Sequence, residues 1–159
     1  MDVFEKCHES AQRSDPIRAA GVYPYYRVIS SAQDPVVMHD GRELVMLGSN
    51  NYLGLTNDPE VKEASAMALA LYGTGCAGSR LLNGTLDIHV QLEQRIAEFM
   101  GREAAVTFAT GYQVNIGVLS CLLSRHDLAF LDAMDHASII DGVQLSFGKS
   151  YKFRHNDPA

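Results

Sequence analysis

Apolar residues recur at helical spacing at the start of the chain, where Val3, Phe4, Cys7 and Ala11 predict a helix within residues 1–20. Pro16 predicts a break there or the start of a new helix. Between residues 35 and 47 the chain reads PVVMHDGRELVML, and two β-rich runs flank Asp40-Gly41, a strong hairpin signal. A helix is expected over 58–72, with Asn57 or Asp58 as its cap, Pro59 in its first turn, Glu60 complementing its dipole and Gly73 stopping it. Another is expected over 86–100, with Ile88, Leu92, Ile96 and Phe99 on one face and Gly101 beyond its end. The pattern then changes. AAVTFA (104–109) reads as a strand, 111–123 as a helix, LAFLD (128–132) as a strand, 136–147 as a helix and 151–154 as a strand. Strands alternating with helices at this spacing predict an α/β fold with a mostly parallel sheet. The expected organisation is an N-terminal segment with a β-hairpin (1–57) followed by the opening of a larger α/β domain (58–159).

The stretch YGTGCAGSR (72–80) contains G-x-G-x-x-G, the spacing of a dinucleotide-binding turn. That turn needs a strand before its first glycine and a helix opening at its last. Here a helix precedes Gly73, and SRLLNGT follows Gly78 before the next helix begins. A nucleotide loop is therefore excluded. Two readings remain: a connection with helix-stop chemistry, or a loop whose glycines allow close backbone approach to a site.

Composition narrows the function classes. The net charge of −6, from 13 basic and 19 acidic groups, leaves no basic stripe for nucleic acid. No apolar run approaches the roughly 20 residues of a membrane helix, and MDVFEKCHESAQRSD lacks the apolar block of a secretory signal. The three cysteines are too scattered for a disulfide framework, and no metal cage is expected. The cytoplasm is the default compartment.

The strand expected at 104–109 runs into Thr110-Gly111-Tyr112, where a helix starts. A helix start offers free N–H groups and the positive end of a dipole, so it can hold a phosphate. Gly111 permits close approach, and Tyr112 sets a ring or hydroxyl beside it; a strand-Gly-helix turn without a ligand is the alternative. His136 follows the next strand, and from the carboxyl end of a parallel strand it can reach the same crevice. It could stack on a flat ring or do acid–base work, or merely lie at the surface, with Asp135 or Ser138 capping the following helix. Asn50, in SNNYLGL, belongs to a polar turn able to bind a carboxylate, with an ordinary Asx-type turn as the plainer reading.

Jointly, SNNYLGL, YGTGCAGSRLLNGTLDIH, LEQRIAEFMGREAAVTFATGYQVNIG, DHASIIDGVQLS and KFRHND resemble the α-oxoamine synthases, a group of fold-type I enzymes dependent on pyridoxal phosphate. The resemblance runs from about Gly21 to Asp157 in the right order. It implies that Gly111 and Tyr112 give backbone contacts to the cofactor phosphate. It implies that His136 stacks on the pyridine ring and touches the substrate carboxylate, and that Asn50 lies near the amino-acid substrate. Residues 75–80 match a loop lining the neighbouring subunit's site, so a homodimer is implied. The implied chemistry is decarboxylative condensation of an amino acid, serine or glycine, with an acyl-CoA thioester.

The resemblance also has gaps. The family's Schiff-base lysine lies downstream, and none of Lys6, Lys62, Lys149 and Lys152 occupies its context. The expectation is an N-terminal part of a longer enzyme, inactive alone and with open sheet edges. A non-catalytic partner subunit of the same fold is the alternative. Members that take a dicarboxylic acyl group grip it with an arginine just before a Tyr-Pro-like segment. Here Ala19-Ala20-Gly21-Val22 precede Tyr23-Pro24, and the nearest arginines are Arg18 and Arg27, which favours a fatty-acyl or acetyl chain.

Overall fold

The computed structural model describes residues 2–157, so the last two positions of the expected second domain lie outside the described residues. The chain divides into two compact units, one ending at Gly75 and the other beginning at Cys76. The boundary expected between 57 and 58 falls inside the first unit, at the residue that caps a helix.

In the first unit, α1 (Val3–Ala19) starts with a capping box in which Asp2 and Glu5 serve each other's backbone N–H. The helix runs through Pro16, contrary to the break or new helix start expected there. The ring removes one intrahelical hydrogen bond, but no residue of α1 is buried, so water can solvate the orphaned carbonyl. The hairpin forms as expected: β1 (Val36–His39) pairs antiparallel with β2 (Arg42–Val45), His39 opposite Arg42. Asp40 and Gly41 both take positive φ, 49° and 71°, as the tight primed turn demands. After a 3₁₀ turn (Leu55–Asn57), Asp58 caps α2 (Pro59–Tyr72), its Oδ1 accepting from the N–H groups of Glu60 and Val61 at 2.9 and 3.2 Å. Gly73, at φ 77°, ends the helix.

In the second unit, α3 (Asp87–Met100) ends at Gly101 in the left-handed region. Then come α4 (Gly111–Leu122), β3 (Leu128–Asp132), α5 (Ala137–Gln144) and β4 (Lys149–Phe153). β3 and β4 pair in parallel from Leu128 opposite Lys149 to Asp132 opposite Phe153, with α5 as the crossover.

Three expectations need correction. The stretch 104–109 is not a strand among the described residues. Its Thr107 N–H donates to the Glu93 carboxylate at 2.9 Å instead of to a ladder partner. The 136–147 helix is shorter at both ends: His136 is its cap, and after Gln144 the Ser146 hydroxyl donates to the Val143 carbonyl and turns the chain. β4 begins two residues earlier than expected and ends at Phe153.

The buried positions of this unit include Ala97 on α3, Leu131 on β3, and Ser138 and Val143 on α5. α5 lies against α4 at Gly142, where an added Cβ would stand 2.8 Å from the Asn115 carbonyl oxygen and 3.1 Å from Leu119 Cβ. Phe108 packs on α4 in the same way at Gly117, where a Cβ would meet its ring at 2.8 Å. Phe130 and Tyr151 stack across β3 and β4, 5.9 Å between centroids, on a face that remains exposed. No helix among the described residues is long and apolar enough to cross a membrane.

Replacing Gly142 with Val should force α5 away from α4 and cost about 1–3 kcal/mol through overpacking. Denaturant unfolding of the intact protein measures this, and Gly75→Ala, at a position with open space around it, serves as the control with little effect.

Candidate functional site

The N-terminus of α4 is built to leave two donors free. Thr110 is its cap, in extended backbone, and its hydroxyl accepts from the Gln113 N–H at 3.2 Å. The N–H groups of Gly111 and Tyr112 have no partner among the described residues. Nothing lies within 4 Å of where a Gly111 side chain would be. Open space beside two unpaired amides at the positive end of a helix dipole suits an anion such as a phosphate.

Tyr112 is held from the opposite side. Its hydroxyl donates to the Asp141 carboxylate on α5. That hydrogen bond, with burial and the Asp141 charge acting in the same sense, raises the phenol above its ordinary value. The hydroxyl is thus committed to Asp141, and the backbone is what Tyr112 offers at the helix mouth.

His136 stands across from it, with ring centroids 6.5 Å apart and planes at 72°. It caps α5: Nδ1 accepts from the Ser138 N–H at 3.2 Å and lies 2.7 Å from the Ser138 hydroxyl. The imidazole is exposed, whereas Ser138 is fully buried. Neither Asp135 nor Ser138 is the cap. Asp135 instead accepts from the Asp132 N–H at 3.0 Å. Asp132, at the carboxyl end of β3, accepts from the Met134 and Asn156 N–H groups and pairs with His155 at 2.9 Å. The Met134 amide first, then His155, holds its carboxyl below the usual range.

Gly111, Tyr112 and His136 therefore stand together at one end of α4 and α5. Asn50 belongs to the other unit. Its side-chain oxygen accepts from the Tyr52 hydroxyl at 3.3 Å, and it lines a shallow hollow of about 520 Å³ with Ser49, Leu53 and Thr56. Neighbouring Asn51 is structural, bonding the Thr56 N–H at 3.1 Å and the Gln33 carbonyl at 3.3 Å.

Several residues that sequence patterning did not single out organise the region. Asn115, one helical turn after Gly111, donates to Ser138 at 2.8 Å. Arg80, in the glycine loop, makes a two-pronged pair with Glu93 at 3.1 and 3.0 Å and donates to Thr107 at 3.2 Å. The Arg80 hydrogen bond and two from Thr107 hold the Glu93 carboxyl down at about 2. The loop closes on itself, since a side chain on Gly84 would overlap the Gly78 backbone. A groove of about 920 Å³ beside this clamp is lined by Arg80, Thr107, Phe108 and Gln113. Among the described residues no group of three or more His, Cys, Asp or Glu could hold a metal ion.

The parallel β-α-β unit is that of an α/β fold, and the comparisons agree with that fold. The chain belongs to the Aminotransferase class I and II family, whose profile matches residues 42–159. It is 54% identical over 143 residues to a serine palmitoyltransferase of Sphingobacterium spiritivorum, covering 90% of this chain and 36% of that protein. An 8-amino-7-oxononanoate synthase of Geotalea daltonii is 43% identical over 143 residues, with the same coverage of 90% and 36%. Among solved structures, a serine palmitoyltransferase from S. paucimobilis with a bound PLP–myriocin aldimine superposes with a TM-score of 0.92 at 36% identity, over 99% of this chain and 40% of that one. The Sphingomonas wittichii enzyme gives 0.91 at 40% identity, with the same coverage. The chain thus spans little more than a third of the length of the curated relatives it matches.

Glu93 sets an acid-side prediction. Its folded value of about 2 lies below its ordinary 4.5, so the stability it contributes is present above pH 4.5 and is lost as pH falls toward 2. Glu93→Gln should flatten the pH dependence of unfolding stability across that window, which denaturant melts at a series of pH values would read directly. An unchanged slope would mean that the clamp carries no such linkage.

Proposed function

We propose that the intact protein is a pyridoxal-phosphate-dependent acyltransferase that condenses L-serine with a fatty acyl-CoA, releasing carbon dioxide and coenzyme A. The observation that carries this reading is the pairing of two free helix-mouth amides with the exposed His136 imidazole, in a chain 54% identical to a serine palmitoyltransferase. We further take it to act in the cytoplasm as a homodimer, with residues 75–80 facing the neighbouring subunit's site.

In this reading the Gly111 and Tyr112 N–H groups hold the cofactor phosphate, and the vacant space at Gly111 admits it. His136 would stack on the cofactor ring, and its outer nitrogen would be the group available to the substrate carboxylate. Bound pyridoxal phosphate contributes an electron-poor ring that accepts the electron pair released at the substrate Cα. Orientation is the contribution of this chain's own residues: an imidazole fixed at its inner nitrogen holds the amino acid in one pose for attack on the thioester.

A second reading is an 8-amino-7-oxononanoate-type condensation, supported by the 43% identical relative. The Arg18 guanidinium lies 3.7 Å over the Tyr23 ring, a cation–π contact that occupies the arginine nearest the Tyr-Pro segment on its N-terminal side. That favours an uncharged acyl chain.

Serine-dependent release of free thiol from palmitoyl-CoA by the intact, cofactor-supplemented protein is the expected result. Release that instead requires alanine and pimeloyl-CoA selects the second reading, and no release with either pair sinks both. His136→Ala should lower turnover on the order of 10²-fold through lost orientation and alter the visible band of the bound cofactor; an unaltered band removes His136 from the site.

A further inference from the structure

The hydrogen bonds around His136 fix which of its nitrogens carries the proton. Imidazole tautomers and amide orientations ordinarily adjust to each other, so a chain of side chains alone can run in either direction. Here one member cannot be reversed. The Ser138 backbone nitrogen, 3.2 Å from Nδ1, is only ever a donor. Nδ1 must therefore present its lone pair, and the neutral ring carries its proton on Nε2.

The rest of the relay follows. The Ser138 hydroxyl, 2.7 Å from the same lone pair, turns its hydrogen toward Nδ1. Its own lone pair then faces Asn115 Nδ2 at 2.8 Å, which orients that amide with its NH₂ toward Ser138. Ser138 is fully buried, so water does not compete for these roles. Asn115 is half-buried on α4, held by the packing of α5 at Gly142.

We propose that Asn115 and Ser138 are positioning residues that hold His136 as the Nε2–H tautomer, so that the exposed side of the ring always offers a hydrogen-bond donor suited to a carboxylate. The tautomer is a property of this chain whatever it binds; its use toward an amino-acid carboxylate rests on the function proposed above.

The test is long-range ¹H–¹⁵N correlation spectroscopy on the intact protein labelled at histidine. The His136 signals are identified by their loss in His136→Gln, and spectra are recorded where the ring is neutral. The expected wild-type pattern is a pyrrole-like Nε2 and a pyridine-like Nδ1. Ser138→Ala keeps the backbone donor and should keep that pattern. Asn115→Asp puts an acceptor-only carboxylate opposite the Ser138 hydroxyl. The hydroxyl then turns away from Nδ1 while the Ser138 N–H remains, so the tautomer should persist and the Nδ1 signal should move downfield as it loses its second donor. A wild-type ring protonated on Nδ1, or a pattern lost in Ser138→Ala, overturns the proposal. An Asn115→Asp protein that folds with the wild-type Nδ1 shift unchanged removes Asn115 from the relay. Absence of serine-dependent thiol release, with the tautomer as expected, counts against the function and not against the relay.

Discussion

The second unit depends on one close approach, the backbone of α5 against α4 at Gly142. Any side chain there would press on the Asn115 carbonyl oxygen and on Leu119. Because only hydrogen occupies the position, the two helices come near enough for three cross-links between them: Asn115 to Ser138, Tyr112 to Asp141, and the ring contact between Tyr112 and His136. Each cross-link constrains the orientation of a polar group, and together they turn a packing contact into a site with defined donors. Interiors are packed closely enough that a shift of a methyl's width would break such geometry.

The same logic extends to the mouth of α4. Thr110 satisfies the Gln113 amide and leaves the two before it free, while Asp141 commits the Tyr112 hydroxyl. What remains available is a small set of donors of known direction: two backbone amides and one imidazole nitrogen. Preorganised donors of this kind need no rearrangement when a charged ligand arrives, and this is the physical basis for reading the region as a cofactor and substrate site.

The glycine-rich stretch divides its labour. Gly73 stops α2 in a backbone conformation that favours glycine, whereas Gly78 and Gly84 permit the loop to fold onto itself. Between them Arg80 reaches Glu93 and Thr107, so the loop is tied to α3 and to the extended run before α4. The helix stop expected of the stretch falls at Gly73, and the close approach seen at Gly78 and Gly84 is between parts of the loop itself.

Much of the architecture was legible in the sequence because its signals are local. The Asp40-Gly41 turn, the Asp58 cap, the Gly101 stop and strand Leu128–Asp132 rest on groups within a few residues of one another. The ordered motifs also pointed to the helix mouth at Gly111 and to His136. Tertiary structure decided the rest. Residues 104–109 look like a strand by composition, yet the Thr107 N–H is taken by the Glu93 carboxylate and not by a neighbouring strand. α1 survives Pro16 because it is exposed. The tautomer of His136 depends on Ser138, whose bond to Asn115 joins residues 23 apart in sequence. Local hydrogen bonding and sterics are written into neighbouring residues, the Ser138 N–H facing His136 among them, but the far end of the polar network at Asn115 is set only when folding packs α5 against α4.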